Sequence, residues 1–408
     1  MAFKGNISGS AILLLLCGLA LSAISVILIF SATNTAVGGQ DQGLYIKQMV
    51  WIMLSLVVFF VVVILPLRMH EVLSYVYYFI LIALLVALMF YGRYGGGSQR
   101  WFDLGFFHFQ PSEMGKVIVL FALARYLSYS KKPGEHFRRL IFSGILVLIP
   151  TALVLRQPDL GTSLVFLTIM LAVLFFSGLP AVYLLLVISP VFSMLTSFHP
   201  ISWVVLFAIL IALLIIMRPG AVMSSAIIVI NLFVGMITPL LWNRLADYQK
   251  LRIKIFLDPG LDPLGAGYQI IQSKIAIGSG GLMGKGFLAG TQTNLNYLPV
   301  RHTDFVFSVM GEEFGFVGGV LIIILMAAII FMGLRTAMRV RNRFASYVCV
   351  GAVTILFFQT VINIGMTLGL MPVTGLPLHF VSYGGSSMIL SWILLGLLVN
   401  AELNWQEY

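Results

Sequence analysis

The sequence predicts an all-α polytopic integral membrane protein, a bundle of about 12 transmembrane helices with one large extracytoplasmic loop. Three observations carry this. Of the 408 residues, 60% are hydrophobic and only 9% charged, where a soluble domain carries roughly a quarter charged residues. Apolar runs of about 20 residues recur from end to end, each long enough for a hydrocarbon core of about 30 Å. Lysine and arginine gather in alternate connections, so the net charge of +10 reads as a topology signal and gives no reason to invoke nucleic acid.

The first run, Ala11 to Phe30, follows a lone Lys4. It is too long for a signal-peptide core and no convincing cleavage site follows it, so it is read as the first span. Further cores lie near 49–66, 73–91, 111–128, 139–155, 161–177, 180–197, 201–217, 221–242, 306–334, 345–369 and 387–402. The pair at 180–197 and 201–217 also reads as a re-entrant hairpin around Pro200. A cytoplasmic N-terminus places Lys131, Lys132, Arg138 and Arg139 inside, with Arg335, Arg339, Arg341, Arg343, Arg68 and Arg218. That satisfies the positive-inside rule, and an even number of spans returns the C-terminus to the same side. Cys17 and Cys349 both fall in apolar spans without CxxC or CxxH neighbourhoods, so they read as inert core residues.

Several outer connections are polar and irregular. Residues 92–116, GRYGGGSQRWFDLGFFHFQPSEMGK, enter a span through Gln110, Ser112, Glu113 and Lys116. Glu113 and Lys116 are three apart and can pair on a helix, which lowers the cost of charge near the bilayer. In LRQPDLGTS, 155–163, Asp159 or Thr162 can cap the following helix. Residues 372–388, PVTGLPLHFVSYGGSSM, break an apolar region with Pro and Gly, which membrane depth tolerates only where backbone lines protein or a cavity.

The longest connection, 243–305, is about 60 residues and carries seven basic against four acidic residues; long ordered loops tend to be functional. GYQIIQSKIAI, 267–277, places Ile270, Ile271, Ile275 and Ile277 towards one face of a helix, predicted to lie at the membrane interface with Lys274 towards the headgroups. GSGGLMGKGFLAGT, 278–291, sets six glycines around Lys285, a pattern in which backbone amides beside a lysine can cradle phosphate oxygens. The loop ends in LPVRHTDFVFSVMGEEFG, 298–315. There Asp304 stands where loop becomes helix, either as a dipole partner with Thr303 available as the cap or as a base at a wet, cationic entrance. Glu312 lies eight residues on, about 12 Å along the axis. That is too far for a hydrolase carboxylate pair, which stands about 5–9.5 Å apart. Glu312 and Glu313 need a basic partner, a proton or a polar cavity.

QPSEMGK, RQPDLGTS, DPLGAGYQIIQSKIAIGSGGLMGKGFLAGTQ, YLPVRHTDFVFSVMGEEFG and TGLPLHFVSYGGSS together resemble the SEDS family (shape, elongation, division and sporulation), its elongation branch more closely than its division branch. The resemblance runs from the first span to the last. It implies a peptidoglycan glycosyltransferase that polymerises lipid II at the outer face of the bacterial cytoplasmic membrane, with both termini cytoplasmic. It implies that Asp304 is the catalytic carboxylate, deprotonating the acceptor 4-hydroxyl that displaces undecaprenyl diphosphate with inversion. Lys274, Lys285 and Arg301, with His302, Arg100 and Ser386, are the candidates for holding substrate and its diphosphate. Gln110, Glu113, Lys116, Asp159 and Glu312 are the functional or structural polar residues near membrane depth. The implied partners are a class B penicillin-binding protein transpeptidase and other membrane proteins of the elongation machinery. No metal-ligand spacing stands out, though a divalent cation (Mg or Mn) on the diphosphate is compatible with Asp304 plus substrate oxygens.

Three departures from the family pattern stand out. Val300 replaces a glutamate, His379 replaces a proline, and residues 179–218 read as an inserted helical pair beyond a family core of about ten spans. Two other classes compete with a polymerase. A flippase for the lipid-linked precursor would use the intramembrane charges, but no repeat relates the two halves. A non-catalytic scaffold would need neither Asp304 nor the basic loop.

Overall fold

The computed structural model describes residues 9–34, 43–95, 98–103, 105, 108–130, 135–244, 250–251, 254–255, 257–265, 267–295, 297–298 and 301–406, with the side chains at 93–99 and 108 excepted. Each of the twelve apolar cores becomes a helix. They are α1 (Gly9–Asn34), α2 (Leu44–Ile64), α3 (Leu67–Tyr91), α4 (Pro111–Tyr129), α5 (His136–Arg156), α6 (Leu160–Phe176), α7 (Ala181–Thr196), α8 (Pro200–Met217), α9 (Ala221–Arg244), α12 (Val306–Arg339), α13 (Arg343–Thr367) and α14 (Gly385–Leu403). Two further helices lie in the long connection, α10 (Tyr268–Gly280) and the single turn α11 (Thr291–Asn294). Among the described residues nine helices are long and apolar enough to cross a bilayer; α6 and α7 are shorter apolar helices, and α4 carries Glu113, Lys116 and Arg125. The protein is thus an integral membrane protein. α7 and α8 are separate helices, α8 long enough to span by itself.

Residues 92–110 hold what the sequence did not announce, a small antiparallel sheet in the order β1 (Arg93–Gly95), β2 (Ser98–Asp103), β3 (His108–Phe109). It folds over the ends of α3 and α4.

The centre of the bundle is α12, α13 and α14, with α1, α2, α4 and α6 packed around them. In α13 and α14, 72% and 78% of the most apolar stretch is buried, against 11% in α8. The first two are therefore core spans, and α8 presents its sides to lipid. Consecutive spans alternate in direction. One end of the bundle collects the described residues of 92–110, 157–159, 258–305 and 368–384, here called the loop end. Arg68, Arg125, Arg138, Arg139, Arg339 and Arg343 lie at the starts or finishes of spans on the opposite, arginine-rich end.

Candidate active site at the loop end

α12 starts without a side-chain cap. Its N-cap is Phe305, preceded by a turn through residues 301–305. Thr303 and Asp304 therefore stand just outside the helix, and the expected capping role falls to neither. The Asp304 backbone is held instead: the Asn363 amide on α13 donates to the Asp304 carbonyl at 3.1 Å and to the Leu376 carbonyl at 2.8 Å. Ser382 Oγ donates to the Thr303 carbonyl at 2.7 Å, and the Tyr383 amide to the His302 carbonyl at 2.8 Å. Gln48, buried on α2, donates to the Ser382 carbonyl at 3.3 Å and to Ser25 Oγ at 3.0 Å. The broken segment 372–384 is thus a strap that fixes the 301–305 turn from below, which is why irregular backbone is tolerated there. The His302 ring packs edge-on to Tyr383 at 5.7 Å.

With its backbone so held, the Asp304 carboxylate comes close enough to Gly375 that a Cβ built there would lie 3.7 Å from Oδ2. Burial pushes its carboxyl up to about 6, against the downward pull of the Thr303 hydroxyl and the Arg100 guanidinium. Such a group is ionised at neutral pH yet basic enough to take a proton from a hydroxyl approaching it. Arg100, at the middle of β2, is aimed by the 157–158 turn: Nε donates to the Gln157 carbonyl at 3.0 Å and Nη2 to that of Pro158. Arg301 is buried with Nε on the Ala32 carbonyl at 2.6 Å.

The neighbouring polar residues gather around the start of α4. The Gln110 amide donates to Ser386 Oγ at 3.5 Å, and its side chain reaches Ser112 Oγ at 3.1 Å and Asp159 Oδ2 at 3.4 Å. Asp159 is the cap of α6, accepting from Thr162 N at 3.1 Å and Thr162 Oγ1 at 2.9 Å. Glu113 and Lys116 pair at 2.6 Å, fully enclosed. His379 is buried with Nδ1 2.8 Å from Ser391 Oγ. Val300 lies outside the described residues.

Two expectations about the long connection are corrected. The glycines of 278–290 approach protein backbone, where a phosphate cradle was expected. α12 breaks at Gly315 (φ 65°, ψ −159°), and the loop fills the break. Lys285 N and Gly286 N donate to the carbonyls of Glu312 and Glu313 at 3.0 Å each, while Phe316 N and Val317 N donate to those of Gly281 and Leu282 at 2.9 and 3.2 Å. A Cβ on Gly284 would stand 2.1 Å from the Glu313 carbonyl, and one on Gly280 1.9 Å from that of Gly311. Only glycine permits this approach. Lys285 is likewise engaged: its Nζ lies 2.9 Å from Glu312 Oε1 and 2.8 Å from Thr291 Oγ1. Glu312 also accepts from Gln292 N at 2.9 Å, Thr293 N at 3.2 Å and Thr293 Oγ1 at 2.9 Å. It is the anchor of α11 and has found the basic partner it needed. Glu313 accepts from Ser31 on α1.

α10 forms where expected but packs against α12, through a face that shares only Ile270 with the expected apolar one. Ile270, Ser273, Ala276 and Gly280 pack inward, with Ser273 Oγ 2.6 Å from Ser308 Oγ and donating to the Thr367 carbonyl at 2.6 Å. Ile275 is exposed and Ile277 half-buried. Lys274 is exposed at the rim, alongside Gly369.

The structure therefore brings Asp304, Arg100, Arg301, His302, Gln110, Asp159 and Ser386 to one end of the bundle. It assigns Glu312 and Lys285 to a separate structural pair deeper along α12. Asn363, Gln48 and Ser382, which hold the turn, were not picked out from the sequence; the signal available for the first two was an amide inside a mostly apolar span.

The family model covering FtsW, RodA and SpoVE, described as cell cycle protein, matches residues 11–208 and 201–407. Peptidoglycan glycosyltransferase MrdB of Escherichia coli (strain K12) is 39% identical over 388 residues, covering 95% of this chain and 92% of that protein. A chain of a solved structure reported as the structural coordination of polymerization and crosslinking by a peptidoglycan synthase complex superposes with a TM-score of 0.72 at 33% identity, over 97% of both chains. The crystal structure of the rod shape determining protein RodA of Thermus thermophilus gives a TM-score of 0.62 at 28% identity, over 97% of this chain and 96% of that one. Matched along nearly its whole length in sequence and in fold, this chain belongs to the FtsW/RodA/SpoVE family of cell cycle proteins, the SEDS family.

Proposed function

We propose that this protein extends glycan strands from lipid II at the loop end of the bundle, with Asp304 as the general base. It is a peptidoglycan glycosyltransferase of the elongation type, and the observation that carries the role of Asp304 is its setting. The carboxylate is uncapped, held by its backbone, raised in pKa and faced by Arg100. Deprotonating the acceptor hydroxyl at Asp304 Oδ frees that oxygen to attack the donor sugar at C1. The C1–O bond to diphosphate breaks, and the departing charge falls to the nearby cations. Arg100, Arg301 and Lys274 are the candidates for that task; Lys285 is committed to Glu312. Among the described residues no three His, Cys, Asp or Glu side chains converge as a metal cage. A divalent cation arriving with the diphosphate would rest on substrate oxygens and Asp304.

The loop end is the extracytoplasmic end in this reading, with both termini in the cytoplasm of a bacterial inner membrane. The partner is a class B penicillin-binding protein that crosslinks the new strand, supported by the similarity to a chain of a polymerising and crosslinking complex; other elongation proteins of the membrane join them. A flippase would need mobile intramembrane charges, whereas Glu113 and Lys116 pair at 2.6 Å and Glu312 and Lys285 at 2.9 Å.

The test is lipid II polymerisation by the purified protein with its transpeptidase, wild type against Asp304→Asn. Removal of a general base costs about 10²–10⁴-fold. A variant that folds, retains its partner and makes no glycan supports the base; normal polymerisation removes Asp304 from the chemistry.

A further inference from the structure

A cavity of about 460 Å³ opens at the arginine-rich end, where α4 finishes and α5 begins. It lies the length of α4 away from Asp304, about 28 Å at 1.5 Å per residue. Tyr75 of α3, Arg125, Tyr126 and Tyr129 of α4, and Glu135 and Arg138 at the start of α5 line it. Nothing in the polymerase reading uses these residues.

Arg125 is built into the wall. Its Nη1 donates to the Glu71 carbonyl at 2.5 Å and to that of Val72, and its guanidinium lies over the Tyr75 ring, 4.8 Å from the centroid. Glu135 and Arg138 pair at 3.1 Å, with the arginine side chain 62% exposed. A pair so open to water contributes little by itself, so both groups remain available to a ligand. Among the described lining residues, two guanidiniums repel a simple cation and Glu135 disfavours a simple anion. A zwitterion that carries phosphate and ammonium a few atoms apart satisfies all three. On either side of the cavity the helices are apolar and exposed, through Val72, Val76 and Phe79 on α3 and Phe142 and Ile145 on α5. Those faces run away from the charged cluster along the span, as acyl chains would. Tyrosine rings at such a mouth sit at headgroup depth, where their faces attract ammonium groups.

We infer that this cavity holds the headgroup of an aminophospholipid, with its phosphate on Arg125 and Arg138, its ammonium on Glu135, and its acyl chains along α3 and α5. A primary ammonium fits better than a trimethylated one, because Glu135 accepts hydrogen bonds and a choline nitrogen has none to donate.

The experiment uses the full chain in detergent, incubated separately with dioleoyl phosphatidylethanolamine, phosphatidylglycerol and phosphatidylcholine. Retained lipid is read by native mass spectrometry and protein stability by thermal unfolding. Phosphatidylethanolamine is expected to be retained roughly fivefold over the other two, a ratio typical of one well-placed charge contact. Glu135→Gln should bring it down to their level, and Arg138→Gln should weaken both phosphatidylethanolamine and phosphatidylglycerol. Both side chains lie at the surface, unlike Arg125, whose loss would strip two carbonyls of α3. Should Glu135→Gln fail to fold, the wild-type preference between ethanolamine and choline lipids decides alone. Equal retention of phosphatidylglycerol, an unchanged preference in Glu135→Gln, or the same stabilisation by soluble phosphoethanolamine without acyl chains would each overturn the assignment.

Discussion

An aspartate beside the start of a helix has two ordinary uses, capping the helix or meeting a ligand, and Asp304 does not serve the first. A capping carboxylate accepts backbone amides and is held low in pKa. Asp304 caps nothing, and burial holds it up at about 6. The sign of its pH dependence follows. Below about pH 6 the carboxyl is protonated and the base is lost, so polymerisation should fall about tenfold per pH unit on that side and level off above it. Arg100 favours the ionised form, so Arg100→Gln should move this acid limb upward by roughly half a unit to one unit, while Arg100→Lys should leave it nearly in place. A profile of polymerisation against pH for the three proteins checks this, and an unmoved limb in Arg100→Gln would remove the guanidinium from the site. Asp304 could be singled out in the sequence because a carboxylate at a basic, glycine-rich doorway has few structural excuses; its chemical role is the proposal that these profiles test. Asn363 and Gln48 were not, because an amide in an apolar span announces only that it has a partner, and the Asp304 and Ser382 carbonyls they hold become neighbours only in the fold.

The elements show where periodicity succeeds and where it misleads. Twelve apolar runs became twelve helices, since in a bilayer only hydrogen-bond-complete backbone is stable. α10 was legible as a helix and illegible as to its face. The isoleucines marked an apolar face for the membrane interface, but against other membrane helices the small residues Ser273, Ala276 and Gly280 let backbones approach closely, and of the four isoleucines only Ile270 is fully buried. The glycine run posed the same problem, because a residue that permits close approach does not say what approaches. Here it is the broken backbone of α12. Gly284 sits at φ +79° with the Glu313 carbonyl where a methyl would go. Gly284→Ala should therefore cost at least about 2 kcal/mol, whereas Gly278→Ala, in open space on α10, should be neutral or slightly stabilising. Thermal unfolding in detergent separates the two, and equal midpoints would show that the loop does not depend on this contact. Lys285→Met should be worse, about 3–5 kcal/mol, because it leaves Glu312 buried without its cation. Pairing it with Glu312→Gln should recover much of that loss.

Over the whole molecule, charge is distributed along the bundle axis with a purpose at each end. Arg68, Arg125, Arg138, Arg139, Arg339 and Arg343 stand at span ends opposite the site, the asymmetry that fixes orientation during insertion. At the loop end three cations sit within structure, Arg301 on the Ala32 carbonyl, Lys285 on Glu312 and Arg100 on the 157–158 turn, while Lys274 stays exposed at the rim. Each of the three works against the positive-inside bias and is held in place by a protein carbonyl or carboxylate. If that division holds, a cysteine replacing exposed Leu261 in the long connection should react with a membrane-impermeant maleimide added to intact spheroplasts. One replacing Ser130, at the end of α4, should react only after the membrane is opened. The native Cys17 and Cys349 are buried and should leave a low background. Labelling of position 130 from outside would invert the molecule, put Asp304 in the cytoplasm, and remove it from any strand growing outside the membrane. Labelling of position 261 alone would place the raised carboxylate and its arginine on the side where the lipid-linked disaccharide has to be joined.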